Sequence, residues 1–310
     1  MRRAPRLVVV TGAGSGIGRA TALRFSKHGA KIVVSDIDLE SASATVAMIR
    51  GYGGTACAYR LDVTDPEAWE AFALDVHADH GVPDVLVNNA GIAVGGKFLD
   101  YTPEDWNKQL AVNLFGVVYG CRAFGQQMAE RAQTDPGSGG HIVNIASAAA
   151  FTPTPVMSAY SVSKAGVKML SECLRLEFAP YGIGVSAICP GVINTNIGAN
   201  GVLVGVDSDL VARGKQTMAR VQRIGESLGV MSPDLVARAV VRATRFDLAV
   251  VPVRTEAWLG YFASRLAPGI NRRLTAPFTI DRMQRVIDAL ARPVQRSDRN
   301  VPTKFDLVAG

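Results

Sequence analysis

The chain has 310 residues, 48% of them apolar, and a net charge of +6. Such an apolar share supports a sizeable core and excludes disorder as the main state, while the length allows one large α/β domain or two small ones. The charge is uneven, with 17 Lys/Arg and 8 Asp/Glu in 211–310 against 16 and 19 in 1–210, but the basic part lacks Lys/Arg blocks and interleaved aromatics, so a solvated surface and no nucleic-acid partner are expected.

Leu7 to Val10 is an apolar, β-branched run, as in a parallel strand covered on both faces. Gly12, Gly14, Gly16 and Gly18 follow, then a helix over about Ser15 to His28. Glycines let a bulky group approach the backbone, and a helix N-terminus points free N–H groups and a positive dipole at it, which suits a phosphate. The spacing is Thr-Gly-x-x-x-Gly-x-Gly rather than G-x-G-x-x-G, and a ligand-free tight turn is the competing reading.

Strands and helices then alternate. Lys31 to Ser35 is a strand closed by Asp36, Leu39 to Arg50 a helix, and Thr55 to Leu61 a strand closed by Asp62. Asp65-Pro66-Glu67 opens a helix to about His80, and Asp84 to Val87 runs into Asn88-Asn89-Ala90-Gly91. Thr102-Pro103-Glu104-Asp105 starts a long helical region to Arg131. Strand His141 to Ala146 leads to Ser147, helix Ser158 to Ala179 follows, and strand Gly184 to Ile188 ends at Pro190-Gly191. Ser232-Pro233-Asp234 caps a helix before strand Leu248 to Val253. The alternation predicts an α/β, Rossmann-like, doubly wound parallel sheet of seven strands with helices on both faces. Right-handed crossovers bring the strand C-terminal ends, with Asp36, Asp62, Asn88, Ser147 and Gly191, to one crevice.

Cys57, Cys121, Cys173 and Cys189 are far apart and read as reduced core residues of a cytoplasmic protein. No metal is expected: His77 and His80 share a helix face that reads as solvated surface. The apolar stretch behind Met1 to Pro5 is too short for a signal peptide, and no run reaches transmembrane length.

Asp36 lies where a carboxylate can accept hydrogen bonds from an adenosine ribose and repel a 2′-phosphate. With Ser15 and Ile37 as uncharged neighbours, NAD is favoured over NADP; a helix N-cap is the plainer role for Asp36, and a surface position for Arg19. Tyr160 and Lys164 lie at i and i+4, on one helix face. A free phenol is ionised only to about one part in a thousand at neutral pH, and a nearby ammonium lowers its pKa, so the pair could pass a proton to or from an alcohol oxygen. Ser147, thirteen residues earlier, could hydrogen-bond that same oxygen.

Together these residues resemble the short-chain dehydrogenase/reductase family in its single-domain form, over about residues 6 to 253. The matching motifs are Thr11 to Gly18, Asn88-Asn89-Ala90-Gly91, Asn113, Ser147, Tyr160-x-x-x-Lys164, and Pro190-Gly191 with Thr195, and Asp62 matches the family's adenine-contacting aspartate. The resemblance implies Tyr160 as acid/base, Ser147 orienting the substrate oxygen, and Lys164 holding the nicotinamide ribose and lowering the Tyr160 pKa. It implies that Asn113 interrupts its helix to hold a relay water. Gly12, Ser15, Gly16, Ile17 and Gly18 would take the phosphates, and Asp36, Asp62 and Val63 the adenosine. Asn89, Ala90, Gly91, Pro190, Gly191, Val192 and Thr195 would line the rest of the cofactor.

Val192 to Met231 reads as a substrate loop. Ala149, Phe151 and Met157, with Val94 and Val156, suggest an apolar pocket and a hydrophobic secondary alcohol or ketone. The domain is expected to span 1–253, followed by a helical extension over 254–310. There Trp258, Leu259, Phe262 and Leu266 recur at helical spacing near Arg254, Arg265, Arg272 and Arg273; packing is favoured over a membrane-surface contact through 254–273. The whole reads as an NAD-dependent oxidoreductase forming a homodimer or homotetramer through 104–131 and 158–179, with an NADP-preferring carbonyl reductase or a non-catalytic cofactor-binding sensor as alternatives.

Overall fold

The computed structural model describes residues 4–193, 202–205, 232–267 and 269. Thr195, most of the expected substrate loop, and Arg272 and Arg273 lie outside the described residues.

The elements in chain order are β1 (Leu7–Thr11), α1 (Gly16–Lys27), β2 (Lys31–Asp36), α2 (Leu39–Gly51), β3 (Ala56–Arg60), α3 (Pro66–His80), β4 (Val85–Asn88) and β5 (Val94–Gly96). Then come α4 (Pro103–Leu110), α5 (Gly116–Thr134), β6 (Gly140–Ile145), α6 (Ser158–Glu177), β7 (Ile183–Pro190), β8 (Val202–Val204), α7 (Pro233–Phe246), β9 (Val250–Val253) and α8 (Thr255–Leu266). Seven strands form one parallel sheet in the order β3-β2-β1-β4-β6-β7-β9. The expected α/β doubly wound sheet is present.

The strands are apolar on both sides because both sides are covered. Val9, Val33, Leu86 and Ile142 pack with Trp69 and Phe72 of α3, Phe124 and Met128 of α5, and Val167 of α6. Val8, Val10, Ile32 and Val34 pack with Phe25 of α1, Val46 and Ile49 of α2, and Val236 and Val240 of α7. The Arg24 guanidinium forks onto the Asp234 carboxylate at 2.6 and 2.8 Å, tying α1 to α7.

The long helical region over 102–131 is interrupted at Asn113, as the family resemblance implies: a π turn at Ala111–Phe115 separates α4 from α5. Two local features depart from the sequence reading. β5 and β8 form a small parallel pair outside the main sheet, too short to announce themselves as apolar runs. His80 is not solvated surface: its ring nitrogens lie 3.0 Å from Lys31 Nζ and 3.0 Å from Cys57 Sγ. Of the cysteines read as core, Cys121 and Cys189 are buried, Cys57 is half-buried and Cys173 is exposed; all four are free thiols. No helix among the described residues is long and apolar enough to cross a membrane.

Candidate active site

Every strand of the main sheet except β9 ends on a single cleft of about 560 Å³. Gly12, Ser15, Gly16 and Ile17 line it after β1, and Asp36 and Ile37 after β2. Asn89, Ala90, Gly91 and Ile92 follow β4, Ser147 follows β6, and Pro190, Gly191, Val192 and Ile193 close β7 and continue beyond it. Asp62 and Val63, beyond β3, complete one end, and Met157, Tyr160 and Lys164 the other. A second depression of about 530 Å³, between α3 and α5, contains none of these residues.

The glycine turn is built for close approach. Gly12 has φ +58°, and a Cβ there would stand 2.7 Å from Ala90 Cα. Gly16 also has a positive φ, +52°. Gly18 does not line the cleft; a Cβ there would run into Gly12 O and Asn89 Nδ2, so it is a packing glycine. Side chains hold the turn from behind. Thr11 Oγ1 accepts from the Asn89 and Ala90 amides at 3.1 and 3.2 Å. Asn89 Nδ2 donates to Thr11 O and Gly12 O, both at 2.9 Å. Arg19 is half-buried rather than on the surface, donating to Thr45 Oγ1 at 3.0 Å and to Gly14 O.

Helices α2, α3, α4 and α7 begin with a side-chain cap and an acidic residue in the first turn. Helix α1 has neither: Ser15 makes no capping bond and the first turn carries no acid. Its N-terminal N–H groups and dipole therefore face the cleft without a protein anion, as a phosphate site requires. Asp36 is not a helix cap either, because Asp38 caps α2 by accepting from the Glu40 and Ser41 amides. Asp36 Oδ2 instead accepts from Gly14 N at 2.9 Å. Asp62 Oδ1 accepts from the Thr64 amide and hydroxyl at 2.9 and 2.7 Å. This combination of turn, bare helix end and carboxylates fits a dinucleotide.

At the other end, Ser147 Oγ accepts from Ala149 N at 3.1 Å, and the same hydroxyl acts on the Tyr160 phenol so as to lower its pKa. Burial pushes that phenol above its usual pKa, outweighing the lowering effect of Ser147. Lys164 Nζ donates to Ile145 O at 2.9 Å and lies 5.9 Å from the Tyr160 ring centre. Burial brings the Lys164 ammonium down to about 8, with Cys189 nearby pulling the other way. The expected lowering of the Tyr160 pKa by Lys164 is therefore not what governs this phenol: desolvation is the larger influence.

Asn113 sits in the π turn, fully buried behind the cleft. Its Oδ1 accepts from Ile92 N at 2.8 Å, and its Nδ2 donates to Ile92 O at 3.0 Å and Ser163 Oγ at 3.3 Å. Ser163 Oγ donates in turn to Tyr160 O at 2.7 Å, so Asn113 couples the Gly91–Ile92 segment to α6.

Among the expected substrate contacts, Ser147, Met157 and Tyr160 line the cleft, but Ala149 and Phe151 do not. Phe151 is buried, with its ring edge-on to Tyr261 of α8 at 5.2 Å. Val94 and Val156 serve the backbone: Val94 N donates to Gln109 Oε1 at 2.7 Å, and Val156 O accepts from Gly96 N at 2.8 Å. The sequence reading missed Ser35, Leu61, Ala93 and Ile145, which line the cleft near strand ends, and Val112, which lines it from the π turn. Strand-end position was the signal for the first four.

The fold and this cleft define a nucleotide-dependent oxidoreductase of the α/β type. The short chain dehydrogenase family model matches residues 6–202, and the chain belongs to that family. The probable oxidoreductase EphD of Mycobacterium tuberculosis is 49% identical over 266 residues, which are 84% of this chain but 43% of EphD. The chain thus spans less than half the length of that relative. The 2,5-dichloro-2,5-cyclohexadiene-1,4-diol dehydrogenase LinX of Sphingobium indicum is 39% identical over 200 residues, 64% of this chain and 77% of LinX. A Burkholderia phymatum short chain dehydrogenase/reductase solved with NAD superposes with a TM-score of 0.73 at 28% identity, covering 88% of this chain and 94% of that one. A metagenomic short-chain oxidoreductase solved with NADP gives 0.63 at 31%, covering 80% and 96%. The family binds NAD(P) and acts on CH–OH donors.

Proposed function

We propose that the chain interconverts a hydrophobic secondary alcohol and its ketone with NAD, Tyr160 exchanging the proton. The observation that carries this reading is that Ser147, Tyr160 and Lys164 line the same cleft as the glycine turn and Asp36. The amides of Gly12 to Ile17 would hold the pyrophosphate, Asp36 the adenosine ribose, and Asp62 and Val63 the adenine. Asn89, Ala90, Gly91, Lys164 and the Pro190–Val192 segment would hold the nicotinamide riboside, with Thr195 proposed at its amide. When bound, the nicotinamide supplies or accepts the hydride.

The chain's own residues manage the proton. Ser147 orients the substrate oxygen by hydrogen bonding. A pKa raised by burial keeps Tyr160 protonated at neutral pH, ready to donate to that oxygen during reduction. The Lys164 ammonium stabilises the phenolate left behind. Because the Asn113 amide is committed to Ile92 and Ser163, its role in a water relay would fall to the main chain of the π turn.

NAD is favoured over NADP because the Asp36 carboxylate would repel a 2′-phosphate and Ile37 beside it is uncharged. Arg19, the cation near the turn, is taken by Gly14 and Thr45. Val112, Ile145, Met157 and Ile193 give the catalytic end an apolar lining, which supports a hydrophobic substrate, and LinX by its name acts on a cyclic diol. Exposed Phe115, Val162, Met169 and Leu176 on the 111–115 turn and α6 support a homodimer or homotetramer through these helices. The deciding experiment is a panel of apolar secondary alcohols and ketones with NAD and NADP, followed by nicotinamide absorbance. Turnover with NAD is expected; faster turnover with NADP would favour the carbonyl-reductase alternative, and dinucleotide binding without any turnover a sensor.

A further inference from the structure

Val192 leaves β7 through Pro190-Gly191 and lines the cleft at its catalytic end. Its side chain is half exposed, yet both of its peptide groups are held by side chains from the far end of the described chain. Val192 N donates to Glu256 Oε1 at 3.2 Å, and Val192 O accepts from Arg254 Nη1. Arg254 Nε and Glu256 Oε1 are themselves 3.1 Å apart. The two side chains and one residue's backbone close a ring.

We propose that Arg254 and Glu256 are positioning residues that clamp the Val192 backbone and so fix the nicotinamide end of the cleft. The proposal rests on reading that cleft as a dinucleotide site. It gives the start of the extension beyond β9 a part in the chemistry.

The backbone of Arg254 supports it. Its φ of 82° and ψ of 160° fall in a region that glycine populates almost alone. A side chain in such strained backbone persists only when its surroundings over-determine it, and here the guanidinium has two partners to hold. Gly191 supplies the complement. A Cβ there would collide with the Glu256 carboxylate, so the carboxylate fills the space over that glycine.

The clamp also has a firm base. Ala257 of α8 is fully buried. Tyr261, one turn on, packs edge-on to Phe151, and Gly260 comes so close to Thr152 that a Cβ would lie 2.7 Å from its Oγ1. Helix α8 thus touches the segment following Ser147 and the segment following β7. The Arg254–Glu256 pair is partly exposed, so its energetic contribution to folding is modest. Its effect is on position, which matters steeply where a ring must meet a reacting atom.

The test separates the two ends of the cofactor. Binding of NADH and of ADP-ribose, which lacks the nicotinamide, is measured by calorimetry in the full chain and in Arg254→Gly, Glu256→Ala and Glu256→Gln. Arg254→Gly removes the guanidinium while suiting the positive φ, so thermal melting should be unchanged or improved. Losing a charge-assisted hydrogen bond to the Val192 peptide should weaken NADH about tenfold in Arg254→Gly and Glu256→Ala, with ADP-ribose within about twofold. Glu256→Gln keeps an acceptor for Val192 N and should fall between. Equal losses for both ligands, or unchanged NADH affinity in folded variants, would overturn the clamp. Failure of the unmodified chain to bind either ligand would overturn the dinucleotide reading and the clamp with it.

Discussion

The two ends of the cleft are held by different means. At the glycine turn the braces are side chains from residues 11–89: Thr11, Arg19, Asp36, Thr45 and Asn89. At the catalytic end the braces come from later in the chain. Lys164 hangs from Ile145 O, Asn113 ties Ile92 to α6, and Arg254 and Glu256 grip Val192 from 62 and 64 residues away. On the proposed reading, the first end would take the pyrophosphate and adenosine of the cofactor. The second is assembled from distant parts of the chain, which makes it the end where substrate choice can vary without disturbing the first.

The largest test of this contrast removes the proton carrier alone. Tyr160→Phe should lower turnover about 10²- to 10⁴-fold, with NADH affinity nearly unchanged, because the glycine-turn end is untouched. Steady-state rates and a fluorescence titration on one preparation check both halves.

The pH dependence comes next. Oxidation needs the phenolate, and burial raises the phenol's pKa, so kcat/KM for the alcohol should climb about tenfold per pH unit through the neutral range. Reduction needs the neutral phenol and the Lys164 ammonium, so it should stay flat to about pH 8 and fall above it as Lys164 loses its proton. A flat oxidation profile would remove Tyr160 from the proton step.

Asp36→Ala should act at the opposite end only. It removes the charge that opposes a 2′-phosphate, narrowing the NAD/NADP affinity ratio by about tenfold. It should leave the pH profile unshifted. The smallest effect belongs to Phe151→Leu, a volume-tolerant core change costing under about 1.5 kcal/mol in a melting experiment, with KM unaltered because Phe151 faces Tyr261.

The same contrast explains what was legible in the sequence. Apolar runs and local caps gave the seven strands and the helix starts at Asp65, Thr102 and Ser232, because each depends on neighbours within a turn or two. Gly12, Gly16, Asp36 and Ser147 converge because strand-end position puts them at one edge, and Tyr160 and Lys164 join them from the first turns of α6. The misplacements came from burial and long-range contact. Phe151 sits four residues after the cleft-lining Ser147, yet the α8 helix it packs against begins only at Thr255. His80 reads as surface until Cys57 and Lys31 are brought to it by β3 and β2. The Tyr160 pKa runs against the simple pairing argument because no spacing rule counts the water excluded from a side chain.

The most direct measurement is a crystal structure of the chain with bound NADH. The account predicts the pyrophosphate over the amides of Gly12 to Ile17, the adenosine ribose on Asp36, and the nicotinamide ring beside Tyr160 and Lys164. A dinucleotide lodged in the α3–α5 depression, or one whose nicotinamide points away from the Tyr160 hydroxyl, would contradict it.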